Sequence, residues 1–429
     1  MQRARFAGFA GITLVLVIAV LEVGSALVLR AAGEADLEAR LHGALMVPSG
    51  EAPALPGAER VVEENGVLHP YLGFVQRPQD AERSQPLSVE QLGFPHGGPF
   101  VREADPNVMV IGIFGGSVAQ QFVDEAGPER LYAQLRDLPE FANRRAVVVS
   151  AALGGYKQPQ QLLALSYLLS LGLHLDWVIS LDGFNEVVLP LVENAKQGVF
   201  PFFPLNWQWR VAPLDTATDV RSVIGEIAYR RELRAWVART FAESPLASSR
   251  LASLAWVIFD RRAMASLEAL RQRLALLRPK SLDYLGTGPP WSMNPSQTLP
   301  ELVAVWKRST LLMDALCRAN GIRFTAFVQP NQYLVGTKPM SDEEREIAIR
   351  NDNPYAAAVV DGYPKLLEAA AQLRAAGIEV NDLTRSFEKT KEIVYVDSCC
   401  HLNARGNEIL AGVMAAQIRA GLLAPAGAR

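Results

Sequence analysis

Two periods of hydrophobic spacing run through the chain from Val108 onward. Nearly unbroken apolar runs of strand length fall at Val108 to Phe114, Ala146 to Val149, Trp177 to Leu181, Phe324 to Val328 and Ile393 to Val396. Between them apolar residues recur at three- and four-residue steps. Leu162, Leu165, Leu168 and Leu169 do so within 160–171, and Leu366, Leu367, Ala370 and Leu373 do so before Gly377, a helix stop signal. A last helix follows His401, with Ile409, Leu410, Val413 and Ile418 on one face. Strands buried on both sides and alternating with helices predict an α/β fold, a central parallel sheet covered by helices on both faces.

Three stretches break this rhythm. Phe6 to Leu29 holds 24 residues with Glu22 as the one ionisable member, long enough to cross a hydrocarbon core of roughly 30 Å as a helix. Arg3 and Arg5 precede it and Glu34, Asp36 and Glu38 follow, so the positive-inside rule leaves residues 1–5 as a cytoplasmic stub, 6–30 as a transmembrane helix, and the rest outside the membrane. The competing reading, a signal peptide cleaved near Ala31-Ala32-Gly33, fits less well because the apolar run exceeds an ordinary signal core. Glu22 lies near the outer interface, within reach of the headgroups. Residues 31–105, rich in Pro, Gly and charge, read as a stalk and lead-in to a domain over 106–424. Within that domain, about 190–305 reads as a helical insertion and cap, opening with an aromatic loop of Phe200, Phe202, Phe203, Trp207 and Trp209.

Composition narrows the function classes. The chain has 429 residues, 49% of them hydrophobic, enough for a sizeable core. Its 42 basic and 45 acidic residues give no field that would draw nucleic acid. The cysteines, Cys317, Cys399 and Cys400, lack the spacing of a zinc site and are too few for a disulfide scaffold, so no metal and no cofactor is expected. Cys317 paired with one of the vicinal two, or three free thiols, both remain open.

Candidate chemistry gathers beyond the carboxyl ends of the strands, where open parallel sheets bind ligands. Ser117 follows the first run, Gly154 and Gly155 the second, Asn185 the third, and Asp397 and His401 the last. A serine hydroxyl needs an imidazole to take its proton, and an acid to orient that imidazole. Of five histidines, only His401 lies beyond a strand's carboxyl end. Ser117 at a helix start, Gly155 and the Asn185 amide would supply donors to an oxyanion.

At these residues the chain resembles the SGNH or GDSL-type hydrolase superfamily, whose four blocks supply Ser, Gly, Asn and His in that order. Here they read Phe-Gly-Gly-Ser at 114–117, Ala-Leu-Gly-Gly-Tyr at 152–156, Asp-Gly-Phe-Asn-Glu at 182–186 and Asp-Ser-Cys-Cys-His-Leu-Asn at 397–403. The resemblance covers 108–189 and 323–420. It implies a three-layer α/β/α, flavodoxin-like fold and ester hydrolysis or acyl transfer through an acyl-enzyme. Ser117 would be the nucleophile, His401 the base, Asp397 its partner, and Ser117, Gly155 and Asn185 the oxyanion hole. The Asp-x-x-x-His spacing is one residue longer than the superfamily's, which makes Asp382 the reserve acid. Analogy with extracellular members points to an acyl-ester substrate, first an O-acetyl sugar, with Trp207 and Trp209 as candidate sugar-binding faces. The competing reading is an inactive SGNH-fold protein that binds a glycan or an assembly partner, which a wrong Asp–His geometry would favour. Nothing in the sequence speaks to oligomeric state.

Overall fold

The chain enters its core through a short antiparallel pair, β1 (Val67–His69) and β2 (Gly73–Val75). The computed structural model describes residues 2–31, 66–77, 87–211, 218–277, 283–291, 294–350 and 353–423, together with Leu41 and Ala44. These residues divide between two compact units, one of 66–211 and 283–429, the other of 1–65 and 212–282. Most of the proposed stalk lies outside the described residues.

The larger unit is built on a five-stranded parallel sheet of β3 (Val108–Gly115), β4 (Arg145–Ser150), β5 (Trp177–Asp182), β6 (Arg323–Val328) and β7 (Val380–Asp382). Its spatial order is β4-β3-β5-β6-β7. From β3 to β4 the chain steps one way across the sheet, and from β4 through β7 it steps the other. Parallel crossovers are almost always right-handed, so this reversal puts helices Ser117–Asp124 and Gly127–Ala133 on one face and Gln160–Ser170, Pro295–Ala319 and Pro354–Ala375 on the other. Packing follows the same division. The final helix, Ala404–Leu423, lies against Gly127–Ala133, while Pro295–Ala319 lies against both Gln160–Ser170 and Pro354–Ala375. β5 is buried at every position, as its unbroken apolar run requires. The register aligns Gly115 with Leu181, Asp182 with Val328, and Val328 with Asp382, so the strands' carboxyl ends share one edge.

Four of the five predicted strands lie in this sheet; the fifth does not. Ile393–Val396 forms no strand of the sheet, and Tyr395 makes only an isolated bridge to Leu402. The edge position belongs to β7, whose three residues, two of them polar, carry too little apolar signal to stand out. The 393–396 backbone is satisfied by a side chain instead: Glu344 Oε1 accepts from the N–H groups of Val394 (2.8 Å) and Tyr395 (3.0 Å). Its other oxygen lies 2.7 Å from Lys338 Nζ, both side chains being fully buried. Lys338 in turn donates to the carbonyls of Thr390 and Glu392. A buried ion pair therefore does for this segment what a neighbouring strand would have done.

The lead-in 87–106 and the β1–β2 pair belong to the same core. Gln160 Nε2 donates to Leu72 O, Tyr156 Oη to Phe74 O, and Leu72, Phe74, Val89 and Phe94 are buried with the sheet residues. The stretch read as one insertion divides. Residues 190–211 and the Pro295–Ala319 helix belong to this unit, and 212–282 belong to the other.

The smaller unit contains three long helices, Gln2–Ala31, Thr218–Ala242 and Arg250–Leu277. Leu29, Ala44, Ala238, Phe241, Trp256 and Val257 form its small core, and Arg234 pairs with buried Asp260 at 2.5 Å. Glu22 caps a helix rather than reaching for headgroups: it accepts from the Ser249 hydroxyl and, at 2.6 Å, from the Arg250 N–H at the start of Arg250–Leu277. Among the described residues no helix is long and apolar enough to cross a membrane. The side chains of the first half of the predicted span, before Leu16, lie outside the described residues.

Candidate active site

β3 ends at Gly115, and Ser117 is the first residue of the helix that follows, so its N–H is one of the helix's unclaimed donors. Asn185 sits in the single helical turn Phe184–Val187 just beyond β5, the neighbour of β3. Ser117 and Asn185 thus flank the point where the strand order reverses, the usual ligand crevice of such sheets. The two strand ends approach closely. A Cβ on Gly116 would fall 2.0 Å from Asn185 Nδ2 and 3.1 Å from Tyr156 O, so a side chain there would push the loops apart. Asn185 Nδ2 donates to Tyr156 O at 2.7 Å, and a primary amide has a second hydrogen to give.

The glycine turn after β4 abuts the serine. A Cβ on Gly154 would lie 3.9 Å from Ser117 Cβ, and the Gly154 N–H donates to Gln120 Oε1 at 3.0 Å. Gly155 has φ +81°, which favours glycine, and a Cβ there would meet the tip of Leu205 at 2.6 Å. Among the described residues its N–H has no hydrogen-bond partner.

His401 lies between Ser117 and Asp397. Its Nε2 is 2.8 Å from Ser117 Oγ, and its Nδ1 contacts Asp397 Oδ2. Asp397 is 2% exposed, and its Oδ1 accepts from the N–H groups of Cys399 (2.9 Å), Cys400 (3.1 Å) and His401 (3.3 Å). Burial pushes this carboxyl up, but the hydrogen bonds from His401 and the loop outweigh it and hold it below the usual carboxylate range. The long Asp-x-x-x-His spacing has a physical reason here: the extra residue lets the loop wrap one carboxylate oxygen while the other faces the imidazole. Asp382, the reserve acid, caps the Thr384 N–H at the end of β7, and it is Asp397 that meets His401.

Trp207 and Trp209 have their polar edges occupied. Trp207 Nε1 donates to Leu285 O at 2.7 Å, Trp209 Nε1 to Gln197 Oε1 at 2.9 Å, and Trp207 packs edge-on to Phe203. Phe200, Phe202, Phe203 and Trp291 likewise pack edge-to-face on one another. This loop touches the site through Leu205 at Gly155.

Several residues that hold the site escaped the sequence reading. Gln120 and Gln121, one turn beyond Ser117, bind the Gly154 N–H and the Leu402 N–H, tying both partner loops to the serine's helix. After β6, Gln332, Tyr333 and Asn331 donate to the carbonyls of Asp397 (3.0 Å), Ser398 (2.7 Å) and Cys399 (3.2 Å). Their signal was available, a polar run Gln329-Pro330-Asn331-Gln332 directly after a strand. Beneath Asn185, buried Glu186 accepts from the Gly183 N–H at 2.7 Å, and buried Asp182 accepts from Ser180 and Trp306. Burial first, then the neighbouring Asp182 charge, pushes Glu186 up to about 8. Lys157, 1% exposed, donates to Phe203 O, and burial lowers it to about 7.

A hydroxyl in line with an imidazole and a buried carboxylate, beside a helix-start N–H and an amide with a second hydrogen to give, can attack a carbonyl and stabilise the resulting oxyanion. Cys399, Cys400 and His401 also bring two thiols and an imidazole nitrogen within 4.8 Å of one another, but a metal there would have to take a His401 nitrogen from Ser117 or Asp397. No protein-family model matches the chain, and no curated protein does. Among solved structures it is similar to one from Bacteroides fragilis described as a "putative acylhydrolase", at 11% identity and a TM-score of 0.34, over 75% of this chain and 91% of that one. So slight a likeness has no bearing on activity, and the functional reading stands on the geometry of the site.

Proposed function

We propose that this chain is a serine esterase or O-acyltransferase of the SGNH type, anchored in a membrane with its larger unit on the outer side, acting on acyl and first of all acetyl esters. The observation that carries this is the line Ser117 Oγ to His401 Nε2 at 2.8 Å, continued from His401 Nδ1 to Asp397. In this reading His401 takes the Ser117 proton as Oγ attacks the ester carbonyl, and Asp397 holds the ring and steadies the imidazolium. The N–H groups of Ser117 and Gly155 and the Asn185 amide receive the oxyanion, a role in which one donor is worth about 10²–10³ in turnover. The alcohol leaves with the proton from His401, and water or an acceptor hydroxyl, activated by the same imidazole, releases the acyl group from Ser117.

Turnover of p-nitrophenyl acetate and of O-acetylated polysaccharide by the purified full chain tests the reaction. Release of p-nitrophenol is expected, with acetate as the other product of hydrolysis, or faster with an acceptor sugar and with the acetyl group recovered on that sugar if the enzyme is a transferase; a folded protein that turns over no short ester contradicts the proposal. Support for the anchor comes from the apolar run Phe6–Leu29 and from Leu16, Val17, Val20, Val23 and Leu27, which stand exposed on the first helix. Cleavage of the larger unit by protease added to intact cells with a permeable outer envelope is expected, and full protection contradicts the outward orientation.

A further inference from the structure

Cys399 and Cys400 occupy the middle of the loop that joins Asp397 to His401. Their sulfurs face each other at 3.4 Å, Cys399 partly exposed and Cys400 buried. Their backbone N–H groups point the other way, both onto Asp397 Oδ1. The same two residues therefore carry a pair of adjacent thiols on their side chains and the Asp397 clamp on their main chain.

We propose that Cys399 and Cys400 are a redox site, at which a small-molecule or protein disulfide oxidises them to a vicinal disulfide that loosens the hold of Asp397 on His401. Adjacent Cα atoms are about 3.8 Å apart, shorter than the roughly 4.4–6.8 Å that an unstrained disulfide spans. To join at about 2.05 Å the two sulfurs must draw their Cβ atoms together and turn the peptide between them. That peptide carries the Cys400 N–H, one of the three donors on Asp397 Oδ1, so closing the ring withdraws it. The same peptide carries the Cys399 carbonyl, which accepts from Asn331, and the Ser398 carbonyl before it is held by Tyr333, so turning the peptide strains these bonds and the Asp397 contacts together. Strained bridges of this kind are the readily reduced ones, which makes the change reversible.

The exchange balances. The partly exposed Cys399 gives its proton to solvent and attacks one sulfur of the oxidant as the thiolate, forming a mixed disulfide and releasing one small thiolate, which takes up a proton. Cys400 gives its proton to solvent and attacks Cys399 Sγ, expelling the second. Two protein thiols and one disulfide become one protein disulfide and two small thiols. Burial raises the Cys400 thiol well above its ordinary range, which disfavours the thiolate that closes the ring. Cys317, buried in the core, takes no part.

The activity readout rests on the serine-hydrolase reading, so the test includes one that does not. The full chain is equilibrated with glutathione and glutathione disulfide at graded ratios, then analysed by intact mass, by alkylation of remaining thiols, and by the rate of fluorophosphonate labelling. Oxidation is expected to remove two thiols and the mass of two hydrogens. It is also expected to slow labelling by at least about tenfold, within the ceiling of about 10⁴ set by losing the orienting acid altogether. Dithiothreitol is expected to restore the rate, and Cys399→Ser protein to label equally fast in both states. Both thiols remaining alkylatable in excess oxidant, a glutathione adduct that never closes, or a disulfide that leaves labelling unchanged would overturn the proposal. If neither state labels, the His401 ring resonances decide: a shift on oxidation keeps the redox site and sinks the hydrolase reading, and no shift sinks the redox site.

Discussion

Ser117 and Asn185 stand on the ends of β3 and β5, two central, buried strands, whereas His401 and Asp397 stand on a loop that no strand of the sheet adjoins. The first pair is placed by regular structure. Backbone ladders fix the strand ends, and the helix start supplies the donor with no side chain needed to aim it. The second pair is placed by side chains: Glu344 and Lys338 beneath the 393–395 backbone, Asn331, Gln332 and Tyr333 on the carbonyls of 397–399, and Gln121 on Leu402. Ser117 and Asn185 owe their positions to the backbone ladder, His401 and Asp397 to the side chains that clamp their loop.

The comparison breaks most visibly at the acid. Asp397→Asn is expected to lower kcat/KM for p-nitrophenyl acetate by up to about 10⁴, since an amide favours the wrong imidazole tautomer. Asp382→Asn is expected to change it by less than about threefold, because Asp382 caps Thr384 instead. Equal losses from the two would show that the loop carboxylate is not the orienting group.

Next comes the clamp. Glu344→Gln leaves Lys338 buried without its counter-charge and weakens the hold on Val394 and Tyr395, a change expected to cost about 3–5 kcal/mol in urea unfolding. Replacing both by apolar residues of similar size is expected to cost less than the single change. A single substitution within about 0.5 kcal/mol of wild type would mean that the ion pair does not hold this segment.

The smallest effect is on the scaffold side. Glu186 is raised from its ordinary 4.5 to about 8 in the folded chain, so the folded state holds its proton more tightly than the unfolded one. The stability it contributes is complete below the unfolded value and is lost as pH rises through the folded value. Wild type is therefore expected to lose urea midpoint relative to Glu186→Gln between about pH 4.5 and about pH 8. Parallel midpoints across that range would contradict the raised carboxyl.

This contrast also explains what could be read from the chain. β3, β5 and β6 announce themselves because burial on both faces demands nearly unbroken apolar runs, and β4, half-buried at one edge, through its run of valines; their ends carried Ser117, Gly155 and Asn185 into view. Ile393–Val396 has the same signature for another reason: Val394 and Tyr395 are buried in the core, but a carboxylate takes the place of a neighbouring strand. Local periodicity reports burial and is silent on what satisfies the backbone. The strand that does flank β6 at that edge, β7, is short and mostly polar and left no such trace. Glu22 was legible as a charge in an apolar helix, but its partner is 227 residues away, beyond the reach of any local pattern.

The most direct test is to label the full chain with a fluorophosphonate and map the adduct by mass spectrometry. The account predicts one phosphonylated residue, Ser117, with labelling abolished in Ser117→Ala and His401→Ala proteins that remain folded. An unlabelled but folded wild type, or an adduct that persists in Ser117→Ala, would contradict it.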